Sequence, residues 1–149
     1  MSKDALDGTR GGQDELDTTV ELLDLSWLYG IRTLNLSPVD ELRRGKFESV
    51  QASEIVETAE FFRPFSIILT LGLRVHPGDR QGVAAYVDRL KEAGVAALGF
   101  GTGLQHAEIP STLIEACADA ELPLFEVPRA TAFALISKVV GEEHARLQA

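Results

Sequence analysis

Three short apolar runs recur along the chain, and each ends in small or turn-forming residues. They occupy residues 66–72, 95–101 and 122–128. Each run begins about 30 residues after the one before it, which is the length of a strand–helix–strand unit. Strands this apolar have no solvent-exposed face, as expected of strands in a sheet buried on both sides. The pattern predicts an α/β fold of three layers, with a mostly parallel sheet and helices on both faces.

Two helix-patterned segments lie between these runs. The first is predicted from a cap at Asp79 to Ala93, with Gly94 as its stop. The second is predicted to begin at Pro110, a residue that suits the first turn of a helix. The apolar positions expected to face the sheet are Val83, Val87 and Leu90 in the first helix, and Leu113, Ile114 and Cys117 in the second.

A last helix is predicted after the third run, with Thr131 as its cap. Four apolar residues recur along it at near-heptad spacing, with Glu143 at the remaining seam position: Phe133, Ile136, Val140 and Leu147. Two heptads are too few to indicate a coiled coil. Two interpretations therefore stand, a helix packed on the sheet or a dimerising or linker helix.

The first part of the chain carries less regular patterns. Residues 1–14 are polar and glycine-rich, which indicates a disordered lead-in and places the folded domain over residues 15–149. A capping box at Thr18 predicts a first helix that stops at Gly30, with Val20, Leu23 and Trp27 on one face. The next segments are predicted as a strand over residues 33–36, a charged loop over 40–46, a strand over 47–52, and a helical turn or short helix over 53–63 with Ile55, Phe61 and Phe62 packed inward.

Charge and cysteine content narrow the classes of function. The formal net charge is −9, and direct nucleic-acid binding needs a basic face that such a chain does not offer. The single Cys117 excludes an internal disulfide and fits a reducing compartment. No apolar run approaches the length that crosses a bilayer. A cytoplasmic domain without a membrane partner is expected.

Motifs for catalysis are missing. The sequence has no nucleophile elbow, no Walker phosphate loop and no Cys-x-x-Cys pair. His76 and His106 both follow predicted parallel strands, so a metal site or a hydrolase base built on them is an alternative to two exposed loop histidines. We predict no catalytic residue, no metal and no cofactor.

The carboxyl ends of parallel strands meet at one edge of a sheet, where open sheets bind ligands. Cations follow two of the predicted strands at this edge, and a guanidinium suits a carboxylate ligand. The candidate ligand-binding residues are Thr70, Gly72, Arg74, His76, Gly101, Thr102, Gly103, Glu126 and Arg129. The alternative is that the charged side chains lie on solvated loops and bind no ligand. The glycines would then form a flexible loop after the strand.

Four stretches match a known family in order and spacing: residues 50–55, residues 63–72, residues 95–98 with Gly101, and Ile109-Pro110 followed by residues 122–128. In these stretches the chain resembles the N-terminal domain of PucR-type transcriptional regulators, the purine-catabolism regulator family. The chain departs from that family's pattern at three places. Phe65 and Ser66 stand where Gly-Glu is usual, Leu71 replaces a second threonine, and Ser37-Pro38 replaces a glycine.

The resemblance implies a non-catalytic, effector-sensing domain that regulates the catabolism of nitrogen compounds such as purines. It implies a small nitrogenous or carboxylate metabolite as ligand, a homodimer, and DNA contacts made only by a domain outside this chain. Phe133, Ile136, Val140 and Leu147 are then the residues expected to couple the ligand site to dimerisation. The alternatives are an assembly module without a small ligand, or a small hydrolase that uses His76 or His106.

Overall fold

The computed structural model describes residues 21–148, so the predicted lead-in and most of the Thr18 capping box lie outside the described residues. The strands are β1 (Leu23–Asp24), β2 (Ser37–Pro38), β3 (Lys46–Phe47), β4 (Ser49–Ala52), β5 (Ser66–Thr70), β6 (Ala97–Gly101) and β7 (Leu124–Val127). The helices are α1 (Leu25–Tyr29), α2 (Arg80–Glu92), α3 (Ser111–Ala120) and α4 (Phe133–Gln148), with a 3₁₀ turn at Arg32–Leu34.

The main sheet has five strands in the order β2-β7-β6-β5-β4. Strands β4 to β7 are parallel neighbours, and β2 pairs antiparallel with β7 at one edge. β1 and β3 form a separate antiparallel pair. The three apolar runs are the three central strands β5, β6 and β7, as predicted.

Two apolar cores cover the two faces of this sheet. On one face, α2 and α3 pack on Ile68, Leu98 and Leu124. On the other face, α1 and α4 pack on Ile67, Leu69 and Phe125. The side chains alternate between the cores because successive residues of a strand point to opposite faces. The predicted three-layer α/β fold is confirmed.

The two helices between the central strands follow the predicted signals. Asp79 caps α2 by accepting a hydrogen bond from the Gly82 backbone N–H at 3.0 Å. Gly94 follows that helix with φ +81°, a conformation that glycine adopts without steric cost. α3 begins directly after Pro110 and buries Leu113 and Cys117. None of the helices within residues 21–148 is long and apolar enough to cross a membrane.

The predicted first helix is wrong in its start and right in its end. Within the described residues the helix begins only at Leu25, and Asp24 caps it through the Ser26 N–H. Leu23 lies in β1 opposite Phe47, so it does not share a helix face with Trp27. Gly30 is the C-terminal cap, as predicted.

The strand predicted over residues 33–36 is also wrong. Residues Arg32–Leu34 form a 3₁₀ turn, and Asn35 then adopts a left-handed conformation with φ 54°. Asparagine tolerates that conformation, which breaks an extended run. The strand forms two residues later, where Pro38 sits at a sheet edge and needs no N–H for a ladder.

No helix forms over residues 53–63. The Ser53 hydroxyl accepts from the Ile55 N–H, and the Thr58 hydroxyl accepts from the Glu60 N–H. Such local bonds compete with helical hydrogen bonding and favour turns. Phe62 is buried as predicted, but Phe61 is 56% exposed, which corrects its inward assignment.

Phe65 adopts a left-handed conformation with φ 59°, and its side chain is 47% exposed. Its N–H donates to the Gly94 carbonyl and its carbonyl accepts from the Glu48 N–H, so the backbone is held there from both sides. The family that the sequence resembles usually has glycine at this position. A side chain in this region of backbone space costs about 1–2 kcal/mol.

We expect Phe65→Gly to be more stable than Phe65→Ala by about 1 kcal/mol. Both variants remove the ring, so their difference isolates the backbone conformation from the loss of packing. Urea unfolding of the two variants, side by side, measures it. Equal stability would show that residue 65 bears no strain.

Candidate functional site

Glu54, just after β4, organises the loop that follows β5. Its carboxylate accepts from the Thr70 hydroxyl at 2.8 Å and from the backbone N–H groups of Leu71 at 2.7 Å and Leu73 at 3.0 Å. The Thr70 hydroxyl also accepts from the Gly72 N–H at 3.0 Å. The hydroxyl that the sequence offered to a ligand is therefore engaged within the protein.

A second bond joins the loop after β5 to the loop after β6. His106 Nε2 lies 2.9 Å from the Gly72 carbonyl oxygen, and a carbonyl only accepts, so Nε2 carries the proton. The His106 ring also packs beside Phe100. Gly72 has φ +73°, and a Cβ there would lie 2.5 Å from the Phe100 ring. Glycine at position 72 therefore allows Phe100 and His106 to pack against the backbone at the carboxyl edge of the sheet.

Arg129 ties the loop after β7 to the same edge. Its guanidinium donates to the Gly103 carbonyl at 3.0 Å, and its aliphatic stem packs on Gly103, which has φ +97°. The Thr102 hydroxyl donates to the Glu126 carboxylate at 2.6 Å. Hydrogen bonds therefore connect the four loops at the carboxyl edge of β4, β5, β6 and β7.

A cleft of about 250 Å³ opens between the ends of β6 and β7 and the start of α4. We call it the α4 cleft. It contains three of the predicted residues, Gly101, Thr102 and Arg129. Its other lining residues are Leu71, Leu104, Val127, Pro128, Thr131, Ala132 and Phe133.

A second cleft, of about 240 Å³, lies beside the first turns of α2, and we call it the α2 cleft. It takes the predicted residues Arg74 and His76, together with Glu57, Arg89 and Tyr86. Arg74 pairs with Glu57 across its rim. Burial raises the pKa of the Tyr86 hydroxyl, which stays protonated. The structure thus separates the predicted cations between two clefts.

The last helix starts at the α4 cleft and crosses the sheet. Phe133 lies in the cleft wall, whereas Ile136 and Val140 are buried against the sheet. Leu147 is 39% exposed. The Thr131 hydroxyl, predicted to cap this helix, donates instead to the Leu34 carbonyl at 2.7 Å. It ties the segment before the helix to the 3₁₀ turn.

Side chains that could bind a metal ion are not brought together in the described part of the chain. Residues 21–148 hold no group of three or more His, Cys, Asp or Glu side chains that could bind a metal ion. Burial raises the pKa of the Cys117 thiol to about 12, which keeps it protonated at neutral pH.

Sequence reasoning missed Glu54 and the apolar walls of the α4 cleft. Glu54 lies within residues 50–55, one of the four stretches that carried the family resemblance, but an isolated acid after a short strand shows no sign of its role. Leu71 and Leu104 gave no signal either, because they look like ordinary apolar residues after strands.

The chain folds as a small α/β domain with a cleft where the carboxyl edge of the main sheet meets α4. The model of the purine catabolism regulatory protein-like family matches residues 37–143. The chain belongs to that family, and it is a domain of the kind associated with regulators. No curated protein and no solved structure matches the chain significantly.

Proposed function

We propose that this chain is the effector-sensing domain of a transcriptional regulator of nitrogen-compound catabolism, of the purine type. It acts without catalysis, and a separate domain binds DNA. The observation that carries the proposal is the α4 cleft, because one small cavity touches two central strands and the first turn of a long helix. A metabolite bound there contacts the first turn of α4.

Signalling needs a ligand that favours one arrangement of α4 over another, since equal affinity for both shifts nothing. Phe133 is placed for this role because it lines the cleft and begins the helix. Ile136 and Val140 follow on the buried side, so a shift at Phe133 is transmitted along a packed face. The hydrogen bonds between the loops at the carboxyl edge of the sheet hold in place the cleft wall that lies opposite α4.

A thermal-shift screen with a cleft-filling variant tests the proposal. The panel holds purine catabolites, amino acids, polyamines and small carboxylates. A ligand at about 100 times its dissociation constant adds roughly 2.7 kcal/mol, a rise of several degrees. We expect Ala132→Phe, which fills the α4 cleft, to abolish the shift. Ala134→Phe is the control, because Ala134 is exposed on α4 and does not line the cleft.

The alternative is an assembly module that dimerises without a ligand. It is favoured by two exposed leucines on α4, Leu135 and Leu147, each 39% exposed. No shift with any compound, together with a melting temperature that rises with protein concentration, would overturn the sensor and support the module. A shift that persists in Ala132→Phe would place the ligand elsewhere and remove the role of the α4 cleft.

A further inference from the structure

The walls of the α4 cleft are apolar. Six of its lining residues carry apolar side chains: Leu71, Leu104, Val127, Pro128, Ala132 and Phe133. Leu104 is 58% exposed, so its apolar side chain is accessible to a ligand. Burying such surface under a ligand is favourable in proportion to the area removed from water. The walls therefore suit an apolar body.

The hydroxyl hydrogens of the cleft are already used in bonds within the protein. Thr102 donates to Glu126 at 2.6 Å, and Thr131 donates to the Leu34 carbonyl at 2.7 Å. The Thr102 N–H also donates, to the Val127 carbonyl at 3.0 Å. A heterocycle rich in C=O groups finds no free hydroxyl hydrogen here, so each carbonyl that Arg129 does not reach would lose its bonds to water, which is costly.

Arg129 is the charged residue among those that line the cleft. No acidic residue is among the lining residues, and no carboxylate of the described residues lies within salt-bridge distance of this guanidinium. By contrast, Arg74, Arg80 and Arg146 each pair with a glutamate. The bond from Arg129 to the Gly103 carbonyl uses one nitrogen and holds the side chain in place. A guanidinium held this way retains donors for an anion.

We infer that the α4 cleft binds a small amphipathic monocarboxylate, with an aromatic or alkyl body against the apolar walls and its carboxylate on Arg129. A cavity of about 250 Å³ holds roughly ten to fifteen non-hydrogen atoms at the packing density of proteins. The inference rests on the proposed function and specifies its ligand. It predicts that such acids bind the α4 cleft and that polar purine derivatives do not.

Calorimetric titration of the whole chain at pH 7 with three compounds tests the inference. The compounds are 3-phenylpropionate, its neutral counterpart 3-phenylpropanol, and urate. We expect the acid to bind about 10- to 100-fold more tightly than the alcohol, which is the range of a charge-assisted bond. In Arg129→Gln the acid should bind only as well as the alcohol. Arg80→Gln is the control, because Arg80 pairs with Glu115 on the surface.

Each result has one meaning for the inference. Binding of the acid that falls in Arg129→Gln and not in Arg80→Gln supports it. Urate binding that Ala132→Phe abolishes would overturn the inference and leave the sensor function standing. Acid and alcohol of equal affinity, or an Arg129→Gln variant that binds the acid normally, would also overturn it. Failure of all three compounds overturns the inference, whereas the proposed function fails only if the whole metabolite panel fails.

Discussion

Replacing Glu54 with glutamine lowers the free energy of unfolding by about 2–3 kcal/mol, because hydrogen bonds to a charged group are the strong ones. Both carboxylate oxygens of Glu54 accept, one from Leu71 and the other from Thr70 and Leu73. A glutamine has one acceptor oxygen, so its amide N–H₂ must face a backbone donor. Urea unfolding, followed by the fluorescence of the single Trp27, measures the loss.

Glu57→Gln is the matched control for this variant. Glu57 lies three positions along the same segment and pairs with Arg74, and both side chains are 55% exposed. Exposed pairs contribute less than about 1 kcal/mol. If Glu54→Gln costs no more than Glu57→Gln, the loop after β5 does not depend on the Glu54 carboxylate. The hydrogen bond between His106 and the Gly72 carbonyl would then not depend on Glu54 either.

Gly99→Ala is expected to destabilise the domain by about 3 kcal/mol, at the upper end for overpacking a core. A Cβ at this position would lie 2.6 Å from Leu69 Cδ2 and 2.6 Å from the Phe125 ring. Both neighbours are fully buried, so neither can move aside without disturbing the core. Thermal and urea unfolding both report the change.

The same substitution in α4 should have the opposite sign. A Cβ on Gly141 would meet nothing within 4 Å, and alanine is favoured over glycine in a helix by about 1 kcal/mol. Gly141→Ala is therefore expected to raise stability. A Gly99→Ala variant as stable as the parent protein would show that the sheet has room at residue 99.

The sequence predicted the central elements well because their signals are local. An apolar run bounded by turn residues suffices for a buried strand, and Asp79 with Gly94 suffices for the ends of α2. The early segments were harder because competing local bonds decide them. Asn35 and the hydroxyls of Ser53 and Thr58 favour turns over the predicted strand and helix.

The common edge of the strand-end residues was predictable, but their hydrogen-bond partners and their division between two clefts were not. Parallel strands bring Thr70, Thr102 and Arg129 to one edge, as their places after strands indicate. Whether the hydroxyl of Thr70 or Thr102 is free to bind a ligand depends on which side chains the strand register places beside it. Glu54 engages Thr70 and Glu126 engages Thr102. The space beside Gly99 is filled by Leu69 and Phe125, and the space beside Gly101 by Leu71 and Phe133.

Hydrogen exchange along α4, with and without a bound effector, tests most directly whether the α4 cleft and this helix are coupled. We expect a compound from the metabolite panel to slow exchange at residues 129–140, the cleft rim and the first turns of α4. The Ala132→Phe variant should show no such protection with the same compound. Protection confined to residues 74–89, around the α2 cleft, or an α4 whose exchange is unchanged by a bound compound, would show that the α4 cleft and α4 are not coupled.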